Sequence, residues 1–183
     1  MSKKTIIFDP GHGVLRANGI VDPGVVYNDL KEADIVLSYA LTCKYVFKDI
    51  YDVVLARTSN IGPSYPERTK LKGDIFISLH LNSANTYGMV YYKSIGLTKY
   101  ITSSKVLADI IQKTANLKFV KPTTTSRFGR LYIDDFPFTS VLVEIDAINL
   151  VTNTKEARIE FANKLLSSVN KFFEAWIIPL SER

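Results

Sequence analysis

Two histidines occur in the 183-residue chain, and both sit where a run of β-forming residues stops. His12 lies in Asp9-Pro10-Gly11-His12-Gly13, directly after the apolar run Thr5–Phe8, and His80 closes the stretch DIFISLH that begins at Asp74. In open α/β sheets, ligands gather in the crevice beyond the carboxyl ends of the strands. Two imidazoles placed there are well positioned for a metal ion. A hydrolytic zinc site commonly takes three protein ligands, with two His and one Glu a standard set, and keeps a position open for water. Glu32 supplies a third ligand at the start of the helix that follows the His12 loop, where the helix dipole favours the ionised carboxylate a ligand must be.

Glu144 ends the apolar run Val141-Leu142-Val143. A carboxylate at the rim of a buried strand is costly unless it is paired or used. Beside a metal-activated water it could accept a proton and later deliver it to a leaving nitrogen. Each of the four residues alone has an ordinary structural role, as a hydrogen-bonded strand end or an exposed helix start. Their joint placement, at the ends of three strands and one helix start, is what points to chemistry.

The elements that must position these residues follow from hydrophobic periodicity. Short β runs are expected at Thr5–Phe8, Val53–Ala56, Asp74–His80, Met89–Tyr92 and Ser140–Ile145. Helical spacing covers Lys31–Ile50, Thr102–Leu117 with Ser103 or Ser104 as its cap, and Lys155–Trp176. A short helix with proline in its first turn fits Pro66–Lys72. Residues 11–29 read as a Gly- and Asp-rich loop, and residues 118–135, broken by Pro122 and Gly129, as a polar, turn-rich segment. Strands alternating with helices predict a three-layer α/β architecture, a sheet covered on both faces. With no repeat, linker or low-complexity tract, residues 1–183 are expected to form a single domain.

Composition narrows the partners. The apolar fraction is 46% and the charged fraction 22%, ordinary values that exclude disorder. The formal charge of +5 suits a polyanion, but the basic residues are scattered, so nucleic acid is not expected. Cys43 is the single cysteine, which excludes an intramolecular disulfide and a multi-thiolate zinc site, and it reads as a buried helix residue. No apolar stretch approaches the ~20 residues of a membrane span, and none after Lys3-Lys4 the ~7 of a secretory core. The expectation is synthesis without a secretory signal, no stable membrane insertion, and a monomer. The apolar tail Phe172–Ile178 is read as packing onto the sheet.

Phe8-Asp9-Pro10-Gly11-His12-Gly13, Glu32, Ser78-Leu79-His80-Leu81-Asn82 and Leu142-Val143-Glu144-Ile145 together resemble the motif set of zinc-dependent N-acetylmuramoyl-L-alanine amidases of the amidase-3 type. The resemblance runs from about Ile6 to Asn149. It implies a twisted, mostly parallel six-stranded sheet flanked by helices, one zinc ion held by His12, Glu32 and His80, and Glu144 as the catalytic carboxylate. The implied substrate is peptidoglycan, cut between N-acetylmuramic acid and the L-alanine of the stem peptide. A phage endolysin, released from the host cytoplasm to the wall, is the favoured setting. A remodelling or sporulation amidase is the alternative, and a non-catalytic wall-binding module the rival from another class. The chain departs from the family at Val14, where a second glycine is common, and at Asp146-Ala147-Ile148-Asn149, a stretch that leaves the metal set intact and the shape of the substrate groove open. Arg57 and Arg68 fall where the family places arginines and are read as structural ion pairs.

Overall fold

The computed structural model describes residues 2–15, 18–126 and 131–177. The chain opens with β1 (Thr5–Pro10) and then four short strands, β2 (Gly13–Leu15), β3 (Val21–Asp22), β4 (Val26–Tyr27) and β5 (Leu30–Lys31). Helix α1 (Glu32–Phe47) leads to β6 (Asp52–Leu55), β7 (Ile61–Gly62) and the one-turn α2 (Tyr65–Arg68). Next come β8 (Ile75–Asn82), β9 (Met89–Tyr92), α3 (Thr98–Ala115) and β10 (Phe119–Pro122). Two 3-10 turns, Thr123–Thr125 and Tyr132–Asp135, precede β11 (Thr139–Ala147) and α4 (Lys155–Ile177).

Six strands make the central sheet in the order β10-β9-β11-β8-β1-β6. The ladders are parallel except β9 against β11, so β9 and β10 run opposite to the other four. The mostly parallel α/β sheet expected from the sequence is therefore present, and its two faces are covered unequally. Alternate residues of the strands, among them Ile6, Phe8, Ile75, Ile77, Leu79, Val141 and Val143, face α1, α3 and α4 in the larger core. The other face, with Ile7, Phe76 and Leu142, is covered by Ile133, Phe136 and their neighbours around the second 3-10 turn. Period-2 alternation sorts the two sets. Because strands buried on both faces are apolar throughout, each long run could be read as a strand without its faces being told apart.

Several local readings shift. Strand β1 continues through Asp9 and Pro10, and β8 through Asn82. The turn-rich segment 118–135 contains the edge strand β10, whose Pro122 sits at its last position, where a missing N–H is tolerated; Gly129 lies outside the described residues. Helix α3 begins at Thr98, so Ser103 and Ser104 are not caps. They are buried in the helix and bond the start of β11, Thr139 Oγ1 to Ser103 Oγ at 2.7 Å and Ser140 N–H to Ser104 Oγ at 2.9 Å. Helix α2 is capped by Ser64, whose backbone N–H is accepted by Glu67 at 2.7 Å in a capping box. Cys43 is fully buried, and burial pushes its thiol pKa up. Phe172 packs in the core as expected, whereas the Trp176 side chain and Ile178 lie outside what the structure describes. No helix among the described residues is long and apolar enough to cross a membrane.

Candidate metal centre

Strand β1 delivers its chain to the loop Gly11-His12-Gly13 beyond the sheet's carboxyl end. His12 takes a left-handed backbone conformation, φ 61°, rare for a residue with a Cβ and costing about 1–3 kcal/mol where it occurs. Arg57 holds this loop in place. Its buried guanidinium donates to the carbonyls of Pro10 (3.0 Å), Gly11 (2.7 Å) and Ala33 (2.6 Å), tying the loop to the start of α1. Arg57 thus bonds backbone carbonyls and, among the described residues, is in no ion pair, which corrects the expectation for it. Burial, aided by nearby Arg68, lowers its pKa to about 10.

Glu32 is the first residue of α1 and 1% exposed. The helix has no side-chain cap; instead its first N–H groups reach loop carbonyls, Glu32 to Val25 (3.0 Å) and Ala33 to Pro23 (3.1 Å). The Glu32 carboxylate returns the bond, accepting the Val25 N–H at 2.8 Å and the Leu81 N–H at 2.9 Å. Its Oε1 lies 3.1 Å from His12 Nε2 and 2.9 Å from His80 Nδ1. The two imidazole rings stand edge to face with centroids 4.9 Å apart.

One donor atom from each of His12, Glu32 and His80 falls within a 4.8 Å cluster. Two imidazole nitrogens and a carboxylate oxygen at that spacing fit a zinc-type donor set. The cluster is built at backbone level too. A Cβ on Gly11 would meet the His80 ring at 2.3 Å, and one on Gly24 would meet Glu32 Oε2 at 2.5 Å. Any larger residue at either position would push a donor out of place.

Electrostatics follow from these contacts. Burial opposes a charge on His12, but Glu32 and Asp22 outweigh it and raise its pKa to about 8. Burial would raise Glu32, yet the two imidazoles hold it well below the usual carboxylate range. The charge-assisted contacts therefore keep the Glu32 carboxylate ionised, the state a cation would require.

Glu144 is not one of the clustered donors. In the β11–β8 ladder it is the register partner of His80, so the two side chains stand side by side on one face. Glu144, His80, His12 and Glu32 all line one cavity of about 540 Å³, with Tyr65, Tyr91, Leu131, Tyr132 and Leu142 on its walls. Four residues from four elements thus converge as the sequence suggested. Asp146 does not join them. The ladder shifts between Glu144 and Ala147, and Asp146 lines a separate hollow of about 180 Å³ with Tyr39 and Lys164. Asp146 therefore does not line the cavity that holds Glu144.

A second layer was not legible beforehand. Asp22 contacts His12 Nδ1 at 2.9 Å, leaving Nε2 turned to Glu32, an arrangement that fixes ring orientation. Beneath the cavity floor, fully buried Asp9 pairs with Arg68 and accepts the Tyr132 hydroxyl at 2.7 Å. Arg68 is thus the structural ion pair expected of it. Tyr132 in turn bonds Ser78 and lies 3.4 Å from His80 Nε2. Asp9 had a signal in the Asp-Pro-Gly-His run; Tyr132, 123 residues away from it, had none.

Known proteins resemble this chain in sequence and in fold. Residues 6–170 match the family model described as N-acetylmuramoyl-L-alanine amidase (Amidase_3). An uncharacterized cell wall amidase of Bacillus anthracis is 29% identical over 165 residues, 80% of this chain and 30% of that protein. The sporulation-specific N-acetylmuramoyl-L-alanine amidase of Bacillus subtilis is 30% identical over 116 residues, 58% of this chain and 43% of its own. The chain thus spans well under half the length of these curated relatives. In fold, the crystal structure of the amidase Ami1 from Mycobacterium smegmatis superposes with a TM-score of 0.79 at 16% identity, covering 95% of this chain and 98% of that one. With nearly the whole chain matched by the family model, it belongs to the N-acetylmuramoyl-L-alanine amidase family.

Proposed function

We propose that this chain is a zinc-dependent peptidoglycan amidase that hydrolyses the bond between N-acetylmuramic acid and L-alanine. The observation that carries the reading is the convergence of His12, Glu32 and His80 within 4.8 Å, in the cavity that Glu144 lines. The three clustered residues would hold the ion. When bound, zinc supplies Lewis-acid polarisation of a carbonyl and acidification of water at neutral pH. Asp22 orients His12, and Glu32 is held ionised by its two imidazoles and two backbone N–H groups. Glu144 takes the proton of the attacking water and passes it to the departing nitrogen, so one carboxylate serves as base and then acid. The apolar walls around it strengthen each charge contact by excluding water.

The test is release of new L-alanine amino termini from purified peptidoglycan, lost on chelation and restored by zinc. Glycan cleavage without new amino termini would reject the reading. Two biological settings fit such an enzyme, phage-driven lysis and the sporulation named for one relative. Clearing of a culture only when a holin accompanies the chain supports the former.

The site also predicts a pH dependence. His12 is raised above its ordinary 6.5 to about 8 in the metal-free protein, so its contact with Glu32 and Asp22 stabilises the fold fully below about 6.5. That contribution is lost as pH rises through about 8. Zinc must displace the same proton. Apparent zinc affinity is therefore expected to climb up to about tenfold per pH unit and to level off above about 8, read by competitive titration with a chromogenic chelator.

A further inference from the structure

We infer that the outer edge of the sheet beside the cavity is a binding site for carboxylate-bearing residues of the stem peptide, built from Lys118, Lys121, Tyr87 and Phe119. The inference rests on the amidase reading and extends it to substrate choice.

The register places this edge. Phe119 pairs with Met89, Met89 with Glu144, and Glu144 with His80, so these four residues form one row across four adjacent strands. Lys121 pairs with Tyr91 and Tyr91 with Leu142 in the next row, and both Tyr91 and Leu142 line the cavity. In-register neighbours project from the same face of a sheet. Phe119 and Lys121 therefore continue the cavity wall outward. The reversed direction of β9 and β10 brings the start of β10, not its end, level with Glu144.

The chemistry of the edge is cationic and aromatic. Lys118 Nζ sits 3.2 Å from the centroid of the Tyr87 ring and 5.5 Å from that of Phe119, and Lys121 Nζ lies 5.2 Å from Phe119. Tyr87 is 50% and Phe119 40% exposed. Among the described residues, no ion pair joins either lysine to a carboxylate within 4.0 Å. The patch is also joined to the cavity through Asn82, a lining residue whose side chain donates to the Tyr87 carbonyl at 3.2 Å.

Reach decides which part of the substrate meets it. Strands lie about 4.8 Å apart, so two strand steps put the patch roughly 10 Å from Glu144. An extended peptide covers about 3.3–3.6 Å per residue. A peptide leaving the scissile nitrogen at Glu144 thus brings its second and third residues to the lysines. The aromatic rings hold the ammonium groups over the wall, and an acidic side group at that distance completes the pairing.

The experiment compares kcat and KM for muramoyl-L-alanyl-D-glutamate and its D-isoglutamine analogue, which differ by one negative charge. The wild-type protein is expected to favour the acid by about two- to fivefold in kcat/KM, carried by KM, the size exposed charge pairing gives. The preference should shrink in high salt. In the Lys118→Ala/Lys121→Ala variant the ratio should fall to about one, and Lys118→Arg/Lys121→Arg should keep it. A wild-type ratio near one, or one the alanine pair leaves unchanged, overturns the inference while cleavage itself upholds the amidase reading. An alanine pair that keeps the ratio but loses adhesion to teichoic-acid-bearing walls would assign the patch to a polyanion and likewise overturn it. If the wild-type protein cleaves neither substrate, the amidase reading falls first.

Discussion

Glu144→Gln is expected to lower peptidoglycan hydrolysis by about 10²–10⁴-fold, the span of a positioned general acid–base, while zinc binding stays at the wild-type level. The two halves of this expectation have separate physical grounds. The metal-capable cluster contains His12, Glu32 and His80 and leaves Glu144 out. Glu144 reaches the same cavity from the neighbouring strand, as the register partner of His80. Gln keeps the size and one acceptor oxygen but cannot take up the proton of water at neutral pH. The measurement is turnover of purified peptidoglycan beside metal analysis of the same sample. Near-wild-type turnover would remove Glu144 from the chemistry, and loss of zinc with the activity would make it a ligand instead.

Glu32→Gln is expected to have the opposite signature, losing metal and activity together. An outer-sphere partner is typically worth 10–100-fold in metal affinity, so loss of a ligand charge should weaken zinc binding by more than about 100-fold. The carboxylate is also structural. It accepts N–H groups from Val25 and Leu81 and lies within 3.1 Å of His12 and 2.9 Å of His80. An amide has one acceptor where the carboxylate has two, so at least one buried donor among these loses its partner. Such a loss costs about 1–3 kcal/mol. Calorimetry of the metal-free variant should therefore show lower stability, and isothermal titration should show weak or absent zinc binding. A variant that binds zinc as the wild type does would place the third ligand elsewhere.

Gly11 and Gly24 leave no room for a larger side chain around the candidate ligands. Each presses its backbone against a donor side chain, closer than a Cβ would allow. The buried Arg57 donates to the carbonyls of Pro10 and Gly11 just before His12 and to Ala33 of α1, anchoring the segment in which His12 takes a positive φ.

Local sequence determined much of this protein. Alternating and continuous apolar runs marked five of the six central strands, and helical spacing marked the three long helices, because burial imposes period 2 or 3.6 directly on residue choice. The scarcity of histidine and its position at strand ends made His12 and His80 legible as candidate ligands; Glu32 followed from its place at a helix start, and Glu144 from a charge set against an apolar run. The edge strand Phe119–Pro122 carries no burial pattern, because none of its residues is fully buried: Phe119 is exposed and the other three are half-buried. Helix α3 begins four residues before the expected Thr102, because Ser103 and Ser104 look like caps until β11 takes up their hydroxyls. Only the tertiary structure decided that all three long helices share one face, that Arg57 grips carbonyls, and that Asp146 turns away from the cavity. It alone brought Asp22 to His12 and Tyr132 to Asp9. Those contacts join residues far apart in the chain or set by loop geometry, where no periodicity records the partner. The row from His80 through Glu144 to Phe119 is of the same kind, because register between strands exists only once the sheet has formed.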